Sequence, residues 1–537
     1  MSAQHAAGGP SGTPLERAAA VPERFNMARY CLAPGELRPA DATALVVVHD
    51  LATAAADAES WTFAALDDAV RAVAAGLLAA GLAPGDRVLI RLPNTSSYPL
   101  IFFGALAAGV VAIPTSSQLT AEEFAFLVAD AAPQLVVCDP SLGVPLPAGL
   151  PVVGPAEIDD WCGQPDRAPY ADTAPDDPAY LVYTSGTSDR PKGVVHAHRA
   201  AWGRRPMYAA WLGLQPGDVV LHTGAFNWTY TLGVGLTDPW ANGASAVIYN
   251  GPKDLGVWPA LIERYRATHF AAVPGLYPQL LRHGGLTGAD LSSLRHGLVA
   301  GEALSPALWR QWREATGTEL FEALGMSECS TFISSGPSIP TRPGSPGKPQ
   351  PGRRVAVLPH QGLGTEPLPA GEVGLLAVHR SDPGLMLGYW QRPQEEAAAY
   401  RGEWFVTSDL VHFDADGYVH YHGRADDVMT AMGYRVSPLE VEECLARHPG
   451  VGEAAVAEVE VREGLRIITA FVVPRDPDDR DTVDASVLLA YAADHLAGYK
   501  RPREVVFVDA LPRTANGKIL RRELAGRHTR LSGPASG

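Results

Sequence analysis

Hydrophobic positions along the first half of the chain switch repeatedly between helical and strand spacing. The segment FAALDDAVRAVAAGLLAAG has apolar residues at helical spacing and stops at Gly81, and the following DRVLIRL (86–92) is typical of a buried strand. A second apolar helix, PLIFFGALAAG, leads into the strand pattern VVAIP. Similar strand patterns follow in PQLVVCD, AYLVYTSG, ASAVIYN, ATHFAAVP and LRHGLVAG. This alternation predicts an α/β domain with a largely parallel sheet to about Leu324.

The pattern changes after Gly344. Proline and glycine become dense in RPGSPGKPQPGRR and GLGTEPLPAGEVG, which predicts a small β-rich subdomain to about Tyr421. Beyond GRADDVM, the letters SPLE at 437–440 have the form of a helix capping box with proline at the first helical position. The helix LEVEECLARH, two strands, a helix around 487–496 and the strand EVVFVDA then predict a small α+β domain. We therefore predict a flexible tail (1–24), an N-terminal domain (25–425) and a C-terminal domain (426–537).

Composition narrows the possible functions. The 537 residues are 46% hydrophobic and 19% charged, which predicts a globular chain of more than one domain. The net charge of −16 argues against a nucleic-acid partner. Five scattered cysteines without CxxC spacing favour a reducing compartment and no structural zinc. With no signal-peptide pattern and no long apolar run, we expect a cytoplasmic enzyme without a membrane span; its oligomeric state is left open.

Candidate chemistry first appears in YTSGTSDRPKGV (183–194). Its hydroxyl groups, flexible backbone and Lys192 are suited to bind phosphate after a buried strand. The spacing differs from the G-x-x-x-x-G-K-[ST] loop, which disfavours an NTPase of that type. On composition alone, a polar surface loop is an equal alternative.

The same segment resembles the phosphate-loop signature of the acyl- and aryl-adenylate-forming enzymes, which include acyl-CoA synthetases, peptide-synthetase adenylation domains and luciferases. Five further segments resemble motifs of that family in order: AGEAL (300–304), FEALGMSECS (321–330), GEWFVTSDL (402–410), GRADDVMTAMGYRVSPLEVE (423–442) and LPRTANGKILRREL (511–524). The resemblance covers about residues 25–524 and is greatest to benzoate- and medium-chain acyl-CoA ligases. It implies ATP, Mg²⁺ and coenzyme A, and a small C-terminal domain that is mobile.

The resemblance also implies roles for individual residues. Glu328 would ligate Mg²⁺, Ser327 would contact the α-phosphate, and Lys518 would stabilise charge that develops there. Asp426 matches the hinge between the domains. The residues that the resemblance assigns to ATP or coenzyme A are Thr184, Ser185, Gly186, Thr187, Lys192, Gly301, Glu302, Glu322, Ala323, Asp409, Arg424, Gly433 and Arg435.

Three of these candidates have a plainer interpretation when taken alone. Glu328 could be a solvated carboxylate, and Asp409 could cap a turn or a helix. Lys518 follows Asn-Gly, a strong hairpin signal, so by itself it could be an exposed lysine beyond a tight turn.

Two departures from the family pattern matter. Asp189 stands where glycine or serine is usual, and we expect it to point to water or to pair with Arg190. Leu324 stands where many relatives have a tyrosine that packs on adenine, so the contact with ATP would be weaker there. Neither change removes a group that the chemistry needs.

The acid is expected to be larger than acetate. Gly325 lies where acetate-restricted relatives carry a tryptophan that closes the acid pocket. Phe226, Trp228 and Tyr230 would form an aromatic wall suited to an aryl or medium-length acyl group. The same three residues could instead be core aromatics at strand spacing.

The acceptor is expected to be coenzyme A. The sequence continues only a short way past Leu524, which leaves no room for a fused carrier domain, and the 433–435 loop lines the pantetheine tunnel in relatives. We therefore predict an ATP-dependent carboxylic acid–CoA ligase. The alternative is a stand-alone adenylation enzyme that loads a carrier protein. A luciferase-type oxygenase or a non-catalytic scaffold is less favoured, since Lys518 and Glu328 are both present.

Overall fold

The computed structural model describes residues 20–143, 149–184, 191–252, 254–425, 429–431, 434–462, 465–475, 484–498, 500–513, 519–521 and 523–526. The chain divides into two compact units. Unit 1 comprises Met1–Arg354 and His379–Tyr400, and unit 2 comprises Val355–Val378 and Arg401–Gly537. The predicted domain boundary between 425 and 426 therefore falls within unit 2, and Asp426 itself lies outside the described residues.

The strands are numbered in chain order. The first fifteen are β1 (Thr43–Val48), β2 (Glu59–Thr62), β3 (Arg87–Arg91), β4 (Val111–Pro114), β5 (Leu135–Cys138), β6 (Val152–Val153), β7 (Pro178–Thr184), β8 (Lys192–Ala197), β9 (Val219–His222), β10 (Ser245–Tyr249), β11 (His269–Ala272), β12 (His296–Ala300), β13 (Glu319–Met326), β14 (Ser330–Ser334) and β15 (Lys348–Pro349). The others are β16 (Val355–Leu358), β17 (Gly374–His379), β18 (Gly388–Tyr389), β19 (Tyr400–Arg401), β20 (Trp404–Phe413), β21 (Val419–Arg424), β22 (Met429–Ala431), β23 (Tyr434–Val436), β24 (Val451–Arg462), β25 (Leu465–Pro474) and β26 (Glu504–Phe507).

The helices connect these strands. The α-helices are α1 (Met27–Leu32), α2 (Phe63–Ala79), α3 (Ser97–Ala108), α4 (Ala121–Ala131), α5 (Pro155–Gly163), α6 (Ala200–Gly203), α7 (Arg205–Met207), α8 (Thr229–Leu232), α9 (Asp238–Ala241), α10 (Val257–Tyr265), α11 (Tyr277–His283), α12 (Pro306–Thr316), α13 (Pro393–Ala398), α14 (Pro438–Ala446) and α15 (Ala485–His495). Wider π-helical turns follow at Tyr208–Leu212 and Gly233–Thr237. In the part of the chain that the structure describes, no helix has the length and apolar character to cross a membrane.

Two large sheets organise unit 1. One has seven strands in the order β18-β8-β7-β4-β3-β5-β6, and the other has nine in the order β15-β14-β13-β12-β11-β9-β10-β1-β2. In the nine-stranded sheet, β1, β10, β9, β11, β12 and β13 are parallel neighbours. Their carboxyl ends therefore share one edge, where open α/β sheets usually bind ligands. The predicted α/β class is confirmed.

The apolar periodicity of the sequence explains how these helices pack. In α2, Leu66, Val70, Val73 and Leu77 recur at helical spacing and are all buried, and the Thr62 hydroxyl accepts the Ala65 N–H at the start of the helix. Helix α3 is apolar on every face and is buried along its whole length.

Unit 2 contains the shorter strands. A five-stranded sheet has the order β16-β17-β20-β19, with β21 paired to β20. A two-stranded sheet (β22, β23) and a three-stranded sheet in the order β24-β25-β26 follow. Helices α14 and α15 share a core with the last sheet, in which Val441, Leu445, Leu488 and Val456 are buried. The β-rich segment and the α+β order agree with the sequence prediction.

The predicted capping box at the start of α14 is wrong. Ser437 does precede the helix and Pro438 is its first residue, but the Ser437 side chain does not cap it. Its hydroxyl instead donates to the carbonyl oxygen of His422 on β21. The Ser437 hydroxyl was expected to accept from the N–H groups at the start of α14. It bonds the carbonyl of a neighbouring strand instead.

Candidate active site

The β7–β8 hairpin presents the candidate phosphate-binding residues. Thr184 pairs with Lys192 where the hairpin opens, next to the pair Tyr183 and Gly193. The loop between the two strands includes Ser185, Gly186, Thr187 and Asp189, which lie outside the described residues. Their contacts with phosphate and the orientation of Asp189 stay predictions.

Lys192 is already paired with an acidic residue. Its ammonium group forms an ion pair with the Glu395 carboxylate, and the Lys192 Nζ lies 5.5 Å from the centre of the Tyr389 ring. A phosphate that binds Lys192 would therefore exchange one anionic partner for another.

Glu328 lies beside the same tyrosine. The Tyr389 hydroxyl donates to Glu328 Oε1 at 2.7 Å, and the Met386 N–H donates to the Glu328 carbonyl oxygen at 2.7 Å. Burial and the neighbouring Glu328 carboxylate raise the pKa of Tyr389, so the phenol keeps its proton and remains a donor. Tyr389 thus joins the predicted phosphate-binding cation to the predicted metal ligand.

His196 supports the turn that contains Ser327. Its Nε2 lies 2.7 Å from the carbonyl oxygen of Ser327, and its ring stacks on Tyr180 with 4.7 Å between ring centres. A carbonyl oxygen can only accept, so Nε2 carries the hydrogen. Burial lowers the pKa of His196 to about 4, which keeps the imidazole neutral at physiological pH.

The loop after β12 lies at the carboxyl edge of the nine-stranded sheet. Ala300 pairs with Ala323, whose side chain is buried, and Gly301 follows with a φ of 102°. A Cβ at Gly301 would lie 3.1 Å from the Trp228 ring, so a larger residue would meet both backbone strain and this ring. Glu302 beside it is half-buried.

Glu322 contacts this loop from the neighbouring strand. Its carboxyl group is buried, and Oε1 accepts the Leu304 N–H at 3.1 Å. The observed partner of the Glu322 side chain is therefore the loop backbone, and its contact with a nucleotide stays a prediction.

Replacement of Glu322 with glutamine is expected to stabilise the protein most at alkaline pH. Burial raises the pKa of the Glu322 carboxyl from 4.5 to about 8. Between these values only the unfolded chain loses the proton, so wild-type stability falls as the pH rises through this window. Glutamine keeps an oxygen for Leu304 N–H and cannot ionise. The melting temperatures of the wild type and of Glu322→Gln should diverge toward the alkaline end of this pH range. Parallel curves for the two proteins would contradict the raised pKa of Glu322.

The three predicted wall aromatics lie just before and within α8. They do not lie in a strand, so the alternative of core aromatics at strand spacing is wrong about the spacing. Phe226 and Tyr230 are buried in the cores, where the Tyr230 hydroxyl donates to the Leu298 carbonyl at 3.1 Å. Trp228 is only half-buried and packs edge-on against Tyr230 with 5.4 Å between ring centres. Of the three, Trp228 has the most exposed ring, and it lies against Gly301.

Gly325 lies where two strands approach closely. A Cβ at this position would lie 2.3 Å from the Ser330 carbonyl oxygen and 2.7 Å from Thr331 Cα on β14. The pairing of β13 with β14 therefore requires glycine here, because any side chain would displace backbone. This reason differs from the open acid pocket predicted for Gly325, which stays a prediction.

A buried ion pair holds the start of β14. Arg204 donates to both carboxylate oxygens of Asp238, at 2.6 Å each, and its third nitrogen donates to the Ser330 hydroxyl. Ser330 has a φ of 62°, an uncommon conformation for a residue other than glycine. The arginine thus stabilises the strained residue two positions after Glu328.

In unit 2, Asp409 and Arg424 face each other across β20 and β21. Asp409 Oδ1 accepts the Tyr421 hydroxyl at 3.0 Å and lies 4.0 Å from the Arg424 guanidinium. The backbone of Arg435 lies in β23, and nothing is described of its side chain. Gly433, Asp426 and Lys518 lie outside the described residues.

Four residues that sequence reasoning missed contact the predicted ones: His196, Glu395, Tyr389 and Tyr421. His196 had a signal, because it lies on the same face of β8 as Lys192 by strand alternation. Glu395 and Tyr389 lie in a segment far along the chain, and no sequence pattern linked them to the predicted site.

Comparison with known sequences identifies the family. A profile described as AMP-binding enzyme matches residues 35–390, more than half of the chain. The chain belongs to the AMP-binding enzyme family. A second profile, described as AMP-binding enzyme C-terminal domain, matches residues 440–518, which lie in unit 2.

Several relatives of the chain are named as CoA ligases. The benzoate–CoA ligase of Thauera aromatica is 34% identical over 87% of this chain and 91% of the relative. The 3-hydroxybenzoate–CoA ligase of Aromatoleum sp. (strain CIB) is 32% identical over 86% of this chain and 90% of the relative. A solved anthranilate CoA ligase in complex with anthranoyl-AMP has a TM-score of 0.85 at 29% identity, covering 96% of this chain and 99% of that chain.

Proposed function

We propose that the protein is an ATP-dependent carboxylic acid–CoA ligase that forms an acyl-AMP and then an acyl-CoA thioester. The acid is aryl or medium-chain and larger than acetate. The main support for this proposal is that Tyr389 contacts both Lys192 and Glu328. The contacts bring together a cation that could bind phosphate and a carboxylate that could bind a metal ion.

In the first step, a carboxylate oxygen of the acid attacks the α-phosphorus of ATP and pyrophosphate leaves. Thr184 and Lys192 bind the β- and γ-phosphates, which neutralises charge on the leaving group. Ser327 donates to the α-phosphate, and His196 keeps the Ser327 turn in place through its carbonyl. Lys518 stabilises charge that develops on the α-phosphate.

The residues present fit a magnesium ion at Glu328. Mg²⁺ usually binds through one or two carboxylates together with substrate phosphates and water. Glu328 is the protein ligand proposed for the ion, and substrate phosphates and water would complete its coordination. When bound, the ion would neutralise phosphate charge, and the Tyr389 hydroxyl would hold the Glu328 carboxylate through Oε1.

The remaining roles belong to unit 2. Asp409 accepts hydrogen bonds from the ribose hydroxyls and Arg424 adds a donor, with Tyr421 holding Asp409 Oδ1 in place. Asp426 is the hinge, and Gly433 and Arg435 contact coenzyme A in the second step.

Coenzyme A is the proposed acceptor because the relatives named above are CoA ligases. Loading of a carrier protein is the second candidate, with the same first step. Five free cysteines support a reducing compartment, and we propose the cytoplasm.

The proposal is tested with a panel of carboxylic acids, scored by AMP release with and without coenzyme A. We expect aryl or medium-chain acids to give AMP release that depends on coenzyme A, and acetate to give little. The thioester is identified by mass spectrometry. Absence of AMP release with every acid contradicts the proposal, and adenylate formation that coenzyme A never accelerates favours the carrier-protein alternative.

A further inference from the structure

A buried histidine ends strand β9 at the carboxyl edge of the nine-stranded sheet. His222 is 5% exposed and pairs with Ala271 of β11. The Gly224 N–H donates to His222 Nδ1 at 2.9 Å, so that nitrogen carries no hydrogen. The neutral ring therefore bears its hydrogen on Nε2, and this donor has no hydrogen-bond partner among the described residues.

A second unpartnered polar group lies next to it. Thr231 is 1% exposed, and within the described chain its hydroxyl also lacks a partner. A Cβ at Gly224 would lie 2.3 Å from Thr231 Oγ1 and 3.0 Å from His222 Cε1, so both side chains converge on Gly224. Buried polar groups are nearly always paired, because an unpaired one destabilises the fold, and two at one place indicate a missing partner.

This pair lies beside the aromatic residues proposed to bind the acid. The His222 ring packs edge-on against Tyr230 with 4.5 Å between centres, and Tyr230 packs in the same manner against Trp228 at 5.4 Å. Trp228 in turn lies against Gly301. Counted from Gly301, the order of contacts is therefore Trp228, then Tyr230, then His222.

We propose that the acid is aromatic and carries a neutral hydroxyl group, which accepts a hydrogen bond from His222 Nε2–H and pairs with the Thr231 hydroxyl. This inference rests on the proposed ligase function. A hydroxyl can both accept from the imidazole and donate to the threonine oxygen. A ring amine is a poor acceptor for Nε2–H, because its lone pair is delocalised into the ring.

A second carboxylate is disfavoured at this place. Burial lowers the pKa of His222 to about 3, so the imidazole is neutral in the free protein and offers no counter-charge already in place for a second buried carboxylate. A neutral hydroxyl requires no such counter-charge.

The test compares kcat/KM for benzoate, its three hydroxylated isomers, anthranilate and phthalate with the full chain. We expect at least one hydroxybenzoate to exceed benzoate by about tenfold or more, since sites built to pair a substrate hydroxyl discriminate strongly against its absence. Anthranilate and phthalate should not exceed benzoate.

Two variants assign the preference to residues. His222→Phe keeps a ring and removes the donor, and Thr231→Val keeps the shape and removes the hydroxyl. Each should lower the hydroxybenzoate-to-benzoate ratio of kcat/KM, because only the hydroxybenzoate loses a hydrogen bond. His296→Phe is the matched control: His296 is a buried histidine of the same sheet whose Nε2 is already bonded to the Leu212 carbonyl at 2.9 Å. It should leave the ratio unchanged.

The outcomes separate the two proposals. Equal kcat/KM for benzoate and all hydroxybenzoates overturns the inference while the ligase function stands. A strong preference that survives both His222→Phe and Thr231→Val overturns the assignment to these residues. No AMP release with any acid removes the ligase function and the inference together.

Discussion

Replacement of Lys518 with alanine is expected to lower acyl-adenylate formation by at least about 100- to 1,000-fold, the usual effect of removing a group that stabilises transition-state charge. Thioester formation from added acyl-AMP should survive. The reason is that Lys518 is proposed to contact the α-phosphate only while the acid attacks ATP, so its role is confined to that step.

The two half-reactions are measured separately, by pyrophosphate exchange and by release of AMP from synthetic acyl-AMP with coenzyme A. Lys500, which pairs with Glu440 at 2.5 Å in the same unit, provides a matched lysine control. Lys500→Ala should change neither rate appreciably. Equal loss of both half-reactions in Lys518→Ala would contradict the assigned role.

Replacement of Asp238 with alanine is expected to destabilise unit 1 by about 3 to 5 kcal/mol, since it leaves a buried arginine without its counter-charge. The Arg204 and Asp238 side chains are only 7% and 0% exposed. The same arginine also bonds Ser330, so the turn that carries Glu328 should loosen and adenylation should weaken.

Urea denaturation followed by tryptophan fluorescence measures this effect. Asp172→Ala serves as the control, because Asp172 pairs with Arg24 on the surface, where both side chains are more than half exposed. The double variant Arg204→Met with Asp238→Leu should recover part of the loss by replacing two charges with apolar groups. The assignment would fail if Asp238→Ala unfolded at the same urea concentration as Asp172→Ala.

Much of the fold could be predicted from local pattern. Helix α2 and strands such as β3 and β12 lie where apolar periodicity placed them, because a helix or strand must turn its apolar side to a core. Predictions from local pattern were wrong where a residue distant in the sequence changed the local structure or took a hydrogen-bond partner. The Ser437 hydroxyl bonds a strand carbonyl instead of capping α14. The aromatic residues around Trp228 lie before and within helix α8, so the alternative of strand spacing did not hold there either.

The family, the order of its motifs and most of the candidate residues could be predicted from the amino-acid sequence, because they depend on residue types at short spacings. The contacts that support these residues follow from the tertiary fold. Tyr389 reaches Glu328 from 61 positions along the chain, and His196 reaches Ser327 from 131 positions away. The partners of Glu322 and the unpartnered donor of His222 follow in the same way from strands that are adjacent in the sheet and distant in the sequence. Such contacts depend on strand order and register, which no local periodicity encodes.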